Sequence, residues 1–315
     1  MSFPILGLHH VTATVDDAQA DLDFARSALG LRIVKKTVNF DNHGVYHFYY
    51  GDERGTPGTI WTTFPYKGKG VPVGIHGAGQ VTATSFSVPA DSIAFWRDRM
   101  GSRGYQVRDR ISAFGEDGLS IIDPSGLVID LVGTNEDNRA PWIPDGEDID
   151  PSSAIRGLHS VTMTVRSAAA SLEFMRDWLG YSVVEKQGTR TRVGVNGGGP
   201  GKMIDLFESG TAPAARNGLG TVHHVAMAIQ DPDEQMRLRN ELTSRGIQVT
   251  PLMDRQYFQS IYFREPGGIL YEVATMRPGF AVDEQLPQLG RALKLPPAAE
   301  INRAEIEKQL PAVQY

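Results

Sequence analysis

Two histidine pairs, His9-His10 and His223-His224, and one carboxylate, Glu272, are the residues of this chain best suited to chemistry. Each pair opens a strand-like segment, and Glu272 stands in the apolar strand Ile269 to Ala274. Two imidazoles and one carboxylate are the smallest protein set that holds Fe(II) while leaving coordination positions open for other molecules. Four of the eight histidines fall in these two dipeptides. An ionised carboxylate inside an apolar strand is costly unless it is paired or bound to a metal, which singles out Glu272.

The elements that must bring these residues together repeat along the chain. Gly7-Leu8-His9-His10-Val11-Thr12-Ala13-Thr14-Val15 recurs as Gly157-Leu158-His159-Ser160-Val161-Thr162-Met163-Thr164-Val165. Each copy runs into a helical stretch that stops at Leu-Gly (Leu29-Gly30, Leu179-Gly180), where glycine suits the C-terminal cap. Further strands over Val81 to Val88 and Thr221 to Ile229 precede helices at Ser92 to Met100 and Asp233 to Arg245. The turns Asp123-Pro124-Ser125-Gly126 and Glu265-Pro266-Gly267-Gly268 lead into closing strands. The chain reads as four copies of a strand-helix-strands unit, duplicated about 150 residues apart. A polar segment, Thr134 to Ser153, links the halves, and the Pro-rich tail from Arg277 holds one short helix near Ala304 to Gln309. The predicted domains are 1–148 and 149–315, two units each.

Side chains alternate across a strand. His9 then shares a face with Val11, Ala13 and Val15, the bulky face that packs on a helix, while His10 shares one with Thr12 and Thr14. His223 goes with Val225, Met227 and Ile229, and His224 with Ala226 and Ala228. The second histidine of each pair is therefore the expected metal ligand, with His9 and His223 as neighbours that supply hydrogen bonds or protons. Across the four units, the slot of Glu272 is expected to hold Thr63, Asp130 and Asp205, and that of His10 and His224 to hold Ser160 and Ala83. Ligand-type residues thus gather in the first and fourth units, which predicts one loaded cleft and one empty one.

Composition narrows the class. A 41% hydrophobic and 22% charged content is that of a soluble globular protein, and 315 residues suffice for two domains. A net charge of -6 without a dense basic stretch argues against nucleic acid or a membrane surface as partner. No apolar run is long enough for a membrane span, and Met1-Ser2-Phe3-Pro4 does not open a secretion signal. With no cysteine there is no disulfide, thiolate ligand or cysteine nucleophile. A cytoplasmic enzyme fits these properties.

The opening Gly-Leu-His-His-Val-Thr, the stretch Tyr49-Tyr50-Gly51-Asp52 with Gly55-Thr56-Pro57-Gly58-Thr59, the closing Glu265-Pro266-Gly267-Gly268 to Glu272, and the tail Leu293 to Pro297 resemble the vicinal oxygen chelate superfamily (glyoxalase, bleomycin resistance and dioxygenase proteins). The likeness covers nearly the whole chain and points to the ring-cleaving dioxygenases of the hydroquinone type. It implies an α+β fold of four βαβββ modules, forming two paired-module domains with curved mixed sheets around a cleft. It implies metal ligation by His10, His224 and Glu272, and supporting roles for His9, His223, Arg255, Tyr262 and Thr12. The implied cofactor is Fe(II), with Mn(II) as the alternative. The implied partners are a small aromatic substrate and O2, with a homo-oligomer left open. The resemblance implies an extradiol-type dioxygenase. The rivals are a glyoxalase-type isomerase, which would have a second carboxylate where Thr63 is expected, and a non-catalytic binder of aromatic ligands.

Overall fold

The computed structural model describes residues 5–111 and 113–314. The first unit comprises β1 (Gly7–Val15), α1 (Ala18–Leu22, continuing as a π-helical segment Asp23–Ala28), β2 (Arg32–Asn39), β3 (Asn42–Gly51) and β4 (Ile60–Pro65). The second holds β5 (Gln80–Val88), α2 (Ile93–Ser102), β6 (Gln106–Asp109), β7 (Gly118–Ile122) and β8 (Val128–Gly133). The third holds β9 (Gly157–Val165), α3 (Ala169–Leu179), β10 (Ser182–Gln187), β11 (Arg190–Gly194) and β12 (Met203–Glu208). The fourth holds β13 (Thr221–Ile229), α4 (Pro232–Ser244), β14 (Met253–Asp254), β15 (Gln259–Arg264) and β16 (Leu270–Thr275). The tail carries α5 (Arg303–Gln309).

Local chemistry sets the helix limits. Asp17 accepts hydrogen bonds from the Gln19 and Ala20 amides at the start of α1, and Asp231 accepts from the Glu234 amide ahead of Pro232 in α4. At the other end, Gly180 (φ 71°) caps α3, and Gly30 (φ 73°) follows α1 and its π-helical continuation, both in a left-handed conformation that glycine adopts without strain. Among the described residues no helix is long and apolar enough to cross a membrane.

The units pair across the two halves of the sequence. One eight-stranded sheet runs β14-β15-β16-β13-β1-β4-β3-β2 and the other β10-β11-β12-β9-β5-β8-β7-β6. Units four and one make the first sheet, and units three and two make the second. Neither half, 1–148 or 149–315, closes a sheet alone. β1 and β13 join antiparallel at the centre of the first sheet, as β9 and β5 do in the second. A core that includes Leu8, Val11, Val15, Phe24, Trp61, Val225, Met227, Ile229 and Tyr271 holds the first sheet to its helices.

Strict alternation fails at one recurring place. Leu8 pairs with Met227 and His10 with Ala226, which leaves His9 as an extra residue; Thr12 pairs with His224 and Ala13 with Val222, which leaves His223 extra. In the second sheet, Thr82 and His159 are the extra residues at the same positions. Each first strand thus carries a β-bulge, and a bulge turns its extra side chain toward the same side as its neighbour. His9 therefore does not join Val11 on the helix-packed face. Its ring lies against that of His10, with centroids 5.0 Å apart. His223 lies the same way against His224, also at 5.0 Å.

The register corrects a second expectation. Glu272 sits opposite Ala226, Asp130 opposite Ser85 and Asp205 opposite Thr162. The matching position opposite Thr12 is Thr62, not Thr63. Thr63 points the other way, and its hydroxyl donates to Asp21 Oδ2 at 2.5 Å. Neither threonine is a carboxylate, so the slot in the first unit still lacks one.

Candidate metal centre

Two rows of side chains cross the first sheet. One runs Tyr262, Glu272, Ala226, His10, and the other runs Tyr49, Thr62, Thr12, His224. The rows meet at the β1–β13 junction, where His10 Nε2 and His224 Nε2 are 3.3 Å apart. Glu272 Oε2 lies 3.3 Å from His10 Nε2 and 2.9 Å from His224 Nε2. All three residues are buried, and Glu272 is 0% exposed.

Hydrogen bonding determines which of these atoms carry protons. His9 Nε2 lies 3.2 Å from the Thr275 carbonyl, which can only accept, so the proton of His9 is on Nε2. Burial, and after it the neighbouring His10, lowers the His9 pKa to about 3, so the ring is neutral and its Nδ1 is bare. That Nδ1 is 2.8 Å from His10 Nδ1, which must then donate. That leaves His10 Nε2 as the nitrogen that faces Glu272. The Nδ1-to-Nδ1 contact recurs between His223 and His224 at 2.7 Å. Burial, and after it His224, takes His223 to about 3 as well, and burial also lowers His224 against the pull of Glu272.

Glu272 remains ionised. Burial alone would raise its pKa, but His10 and His224 hold it well below the usual carboxylate range. The Ser260 hydroxyl donates to Oε1, while Oε2 turns to the two histidines, 2.9 Å from His224 Nε2 and 3.3 Å from His10 Nε2. One carboxylate oxygen and two imidazole nitrogens turned toward one point form a donor set that suits a cation. The three donor atoms lie within 4.8 Å of one another, so His10, His224 and Glu272 could hold a metal ion.

A cavity of about 110 Å³ opens beside these atoms, walled by Tyr49, Phe64, Phe258 and Tyr262. Arg255 and His223 also line it. Arg255 Nε donates to the Tyr262 hydroxyl at 3.2 Å, and its Nη2 lies 3.6 Å from Asp41 Oδ2 at the mouth. Thr12 and His9 do not reach the cavity. Thr12 is fully buried and accepts from the Thr62 hydroxyl at 2.8 Å, and His9 sits behind His10.

Three residues at the site escape sequence reasoning. Ser260 holds Glu272; Phe258 packs on His9 and His10 with centroids 4.9 and 5.2 Å away; His47 lines the cavity with Nε2 3.0 Å from Thr62 Oγ1. The Thr62 hydroxyl gives its proton to Thr12, so His47 must donate from Nε2. Burial keeps His47 neutral, with its pKa well below the ordinary value. Alternation could have found two of them, since Ser260 shares a face with Tyr262 and His47 shares one with Tyr49.

The model of the Glyoxalase/Bleomycin resistance protein/Dioxygenase superfamily matches residues 7–131 and 157–273. A Bacillus subtilis protein named as a ring-cleaving dioxygenase, MhqE, is 39% identical over 307 residues, 97% of this chain and 98% of MhqE. The chlorohydroquinone/hydroquinone 1,2-dioxygenase of Sphingobium indicum is 35% identical over 302 residues, 93% of this chain and 92% of that protein. The crystal structure of a Bacillus subtilis protein named as a dioxygenase superposes with a TM-score of 0.94 at 38% identity, over 99% of both chains. Glyoxalase I from Zea mays superposes with a TM-score of 0.62 at 13% identity, over 85% of this chain and 92% of that one, which shows a shared fold alone. The chain belongs to the Glyoxalase/Bleomycin resistance protein/Dioxygenase superfamily.

Proposed function

We propose that this protein is an Fe(II)-dependent, extradiol-type ring-cleaving dioxygenase that opens a hydroquinone or related diphenol and inserts both atoms of O2. The observation that carries the reading is the type and number of the donors: two imidazoles and one carboxylate, with Thr62 where a fourth ligand would stand. Relatives named as ring-cleaving dioxygenases across nearly the whole chain support it. Bound Fe(II) would supply Lewis acidity toward a phenolic oxygen and one-electron chemistry toward O2, and Mn(II) suits the same donors. A glyoxalase-type site with a carboxylate from each paired unit is disfavoured, because the slot opposite Thr12 holds Thr62.

The remaining roles belong to the chain's own residues. The aromatic walls hold a planar ring and exclude water. With His224 binding through Nε2, its Nδ1 proton goes to His223 Nδ1, and His223 then presents an Nε2–H donor to the cavity it lines. Arg255 stays cationic and holds the anionic form of the substrate, in concert with the Tyr262 hydroxyl. Tyr262 stays protonated, because burial and the nearby Glu272 raise its pKa far above the usual value. His9 acts through His10, fixing its tautomer, and Thr12 acts through Thr62.

Anaerobic reconstitution with Fe(II), followed by oxygen uptake with hydroquinones, catechols and the methylglyoxal–glutathione adduct, tests the reading. Oxygen consumption with a diphenol and a ring-opened product are expected. Isomerisation of the thiol adduct without oxygen uptake on any diphenol would overturn it.

A further inference from the structure

We propose that the second cleft, between units two and three, is a binding site for a small carboxylate with an aromatic or apolar body. The inner wall of this cleft is electrostatically complete. Arg192 forks onto Asp205 (Nε to Oδ1 2.7 Å, Nη2 to Oδ2 2.8 Å) and onto Glu116 (Nη1 to Oε1 2.6 Å, Nη2 to Oε2 2.8 Å). Asp130 accepts from Ser120 at 2.6 Å and from Arg110 Nε at 3.2 Å.

The outer part is not complete. A cavity of about 250 Å³ lies there, lined by Arg110, Arg190, Phe207, Val128 and Ile111, with Asp130 also on its wall. Arg110 is 8% exposed, yet its buried Nη1 makes no hydrogen bond, lying 3.7 Å from Glu116 Oε2. Its Nη2 is 4.0 Å from Asp205 Oδ2, too far for a hydrogen bond. Arg190 has no hydrogen bond or ion pair among the described residues, and its guanidinium rests 4.7 Å over the Phe207 ring. Arg190 lies within electrostatic reach of Asp205, Arg110 and Asp130.

Two guanidiniums with unused donors converge on one cavity and can take an anion beside Asp130. Their planar forks match a carboxylate, and the charge-assisted bonds formed would satisfy donors that are otherwise costly to bury. One side of the cavity is apolar. Phe207 and Val128 offer a ring-sized surface, and Ile111, 75% exposed at the rim, would be covered by the body of such a ligand. This inference rests on the second cleft alone and is independent of the reaction proposed for the first.

Calorimetric titration of the metal-loaded full chain with benzoate tests it. Benzoate should bind with one-to-one stoichiometry, more tightly than acetate or inorganic phosphate. Arg190→Ala should weaken it by about tenfold or more, with Arg190→Lys recovering part of the loss. Glu272→Gln should leave benzoate binding unchanged, since the first cleft is not involved. No binding up to about 10 mM benzoate would overturn the proposal. So would an affinity unaffected by Arg190→Ala, equal affinity for phosphate, or binding lost in Glu272→Gln. Unchanged iron content and thermal unfolding in Arg190→Ala would show that its loss is local.

Discussion

The two clefts share one framework and differ in how their charges are balanced. In the first sheet the rows read Tyr262, Glu272, Ala226, His10 and Tyr49, Thr62, Thr12, His224. In the second they read Ser120, Asp130, Ser85, Ser160 and Arg192, Asp205, Thr162, Ala83. The bulges fall at the same places in both. The first cleft sets one carboxylate against two imidazoles, with no arginine or lysine bonded to Glu272 among the described residues, so a metal cation could complete it. The second sets its carboxylates against Arg192 and Arg110 and completes itself with cations of the chain. The fold makes two equivalent hollows, and the residues in the rows decide which one could hold a metal.

Breaking the first cleft should have the largest effect. Glu272→Gln removes the only negative charge among the three donors, and metal affinity and oxygen uptake should both fall by at least about a hundredfold. Elemental analysis after anaerobic reconstitution measures the first, and an oxygen electrode the second. Breaking the second cleft should affect the fold and spare the metal. Arg192→Met leaves Asp205 and Glu116 without the guanidinium they share, and should cost about 3–5 kcal/mol in denaturant unfolding. Iron content should not change. Ser260→Ala frees Glu272 Oε1 without touching a donor atom, and should weaken metal binding by about tenfold.

The smallest effect is in pH dependence, and the clefts should separate by window. His9 and His223 titrate near 3 in the folded metal-free protein against 6.5 when exposed, so below 6.5 the unfolded chain takes up protons first. Their contribution is present above 6.5 and is lost as pH falls toward 3. Glu116 is held near 2 against 4.5, because hydrogen bonds from His159 and Arg192 outweigh its burial. Its contribution is present above 4.5 and is lost only as pH falls toward 2. In urea unfolding of metal-free protein, His9→Gln should flatten the upper window and Glu116→Gln the lower one. A change confined to the opposite window in either variant would contradict these assignments.

The repeat, the four units and the opposition of the first and last units are legible in the sequence, because hydrophobic patterning and capping residues recur within each unit. The position of His9 is not. A bulge arises from how two distant strands pair, and nothing in Leu8-His9-His10 marks it. The exchange of Thr63 for Thr62 has the same origin, since a one-residue change of register moves a side chain to the other face. Ser260 and His47 stand on legible faces, beside Tyr262 and Tyr49, but their partners Glu272 and Thr62 come from neighbouring strands. The network of the second cleft is hidden more deeply, since Arg192 and Glu116 are 76 residues apart and meet only when units two and three pair.

The central claim is that one of two equivalent clefts holds a metal, through His10, His224 and Glu272. Metal stoichiometry after anaerobic Fe(II) loading and gel filtration tests it most directly, on the wild-type, Glu272→Gln and Arg192→Met proteins side by side. The account predicts one iron per chain in the wild type and in Arg192→Met, and none retained in Glu272→Gln. Two irons per chain, or full iron in Glu272→Gln, would contradict it.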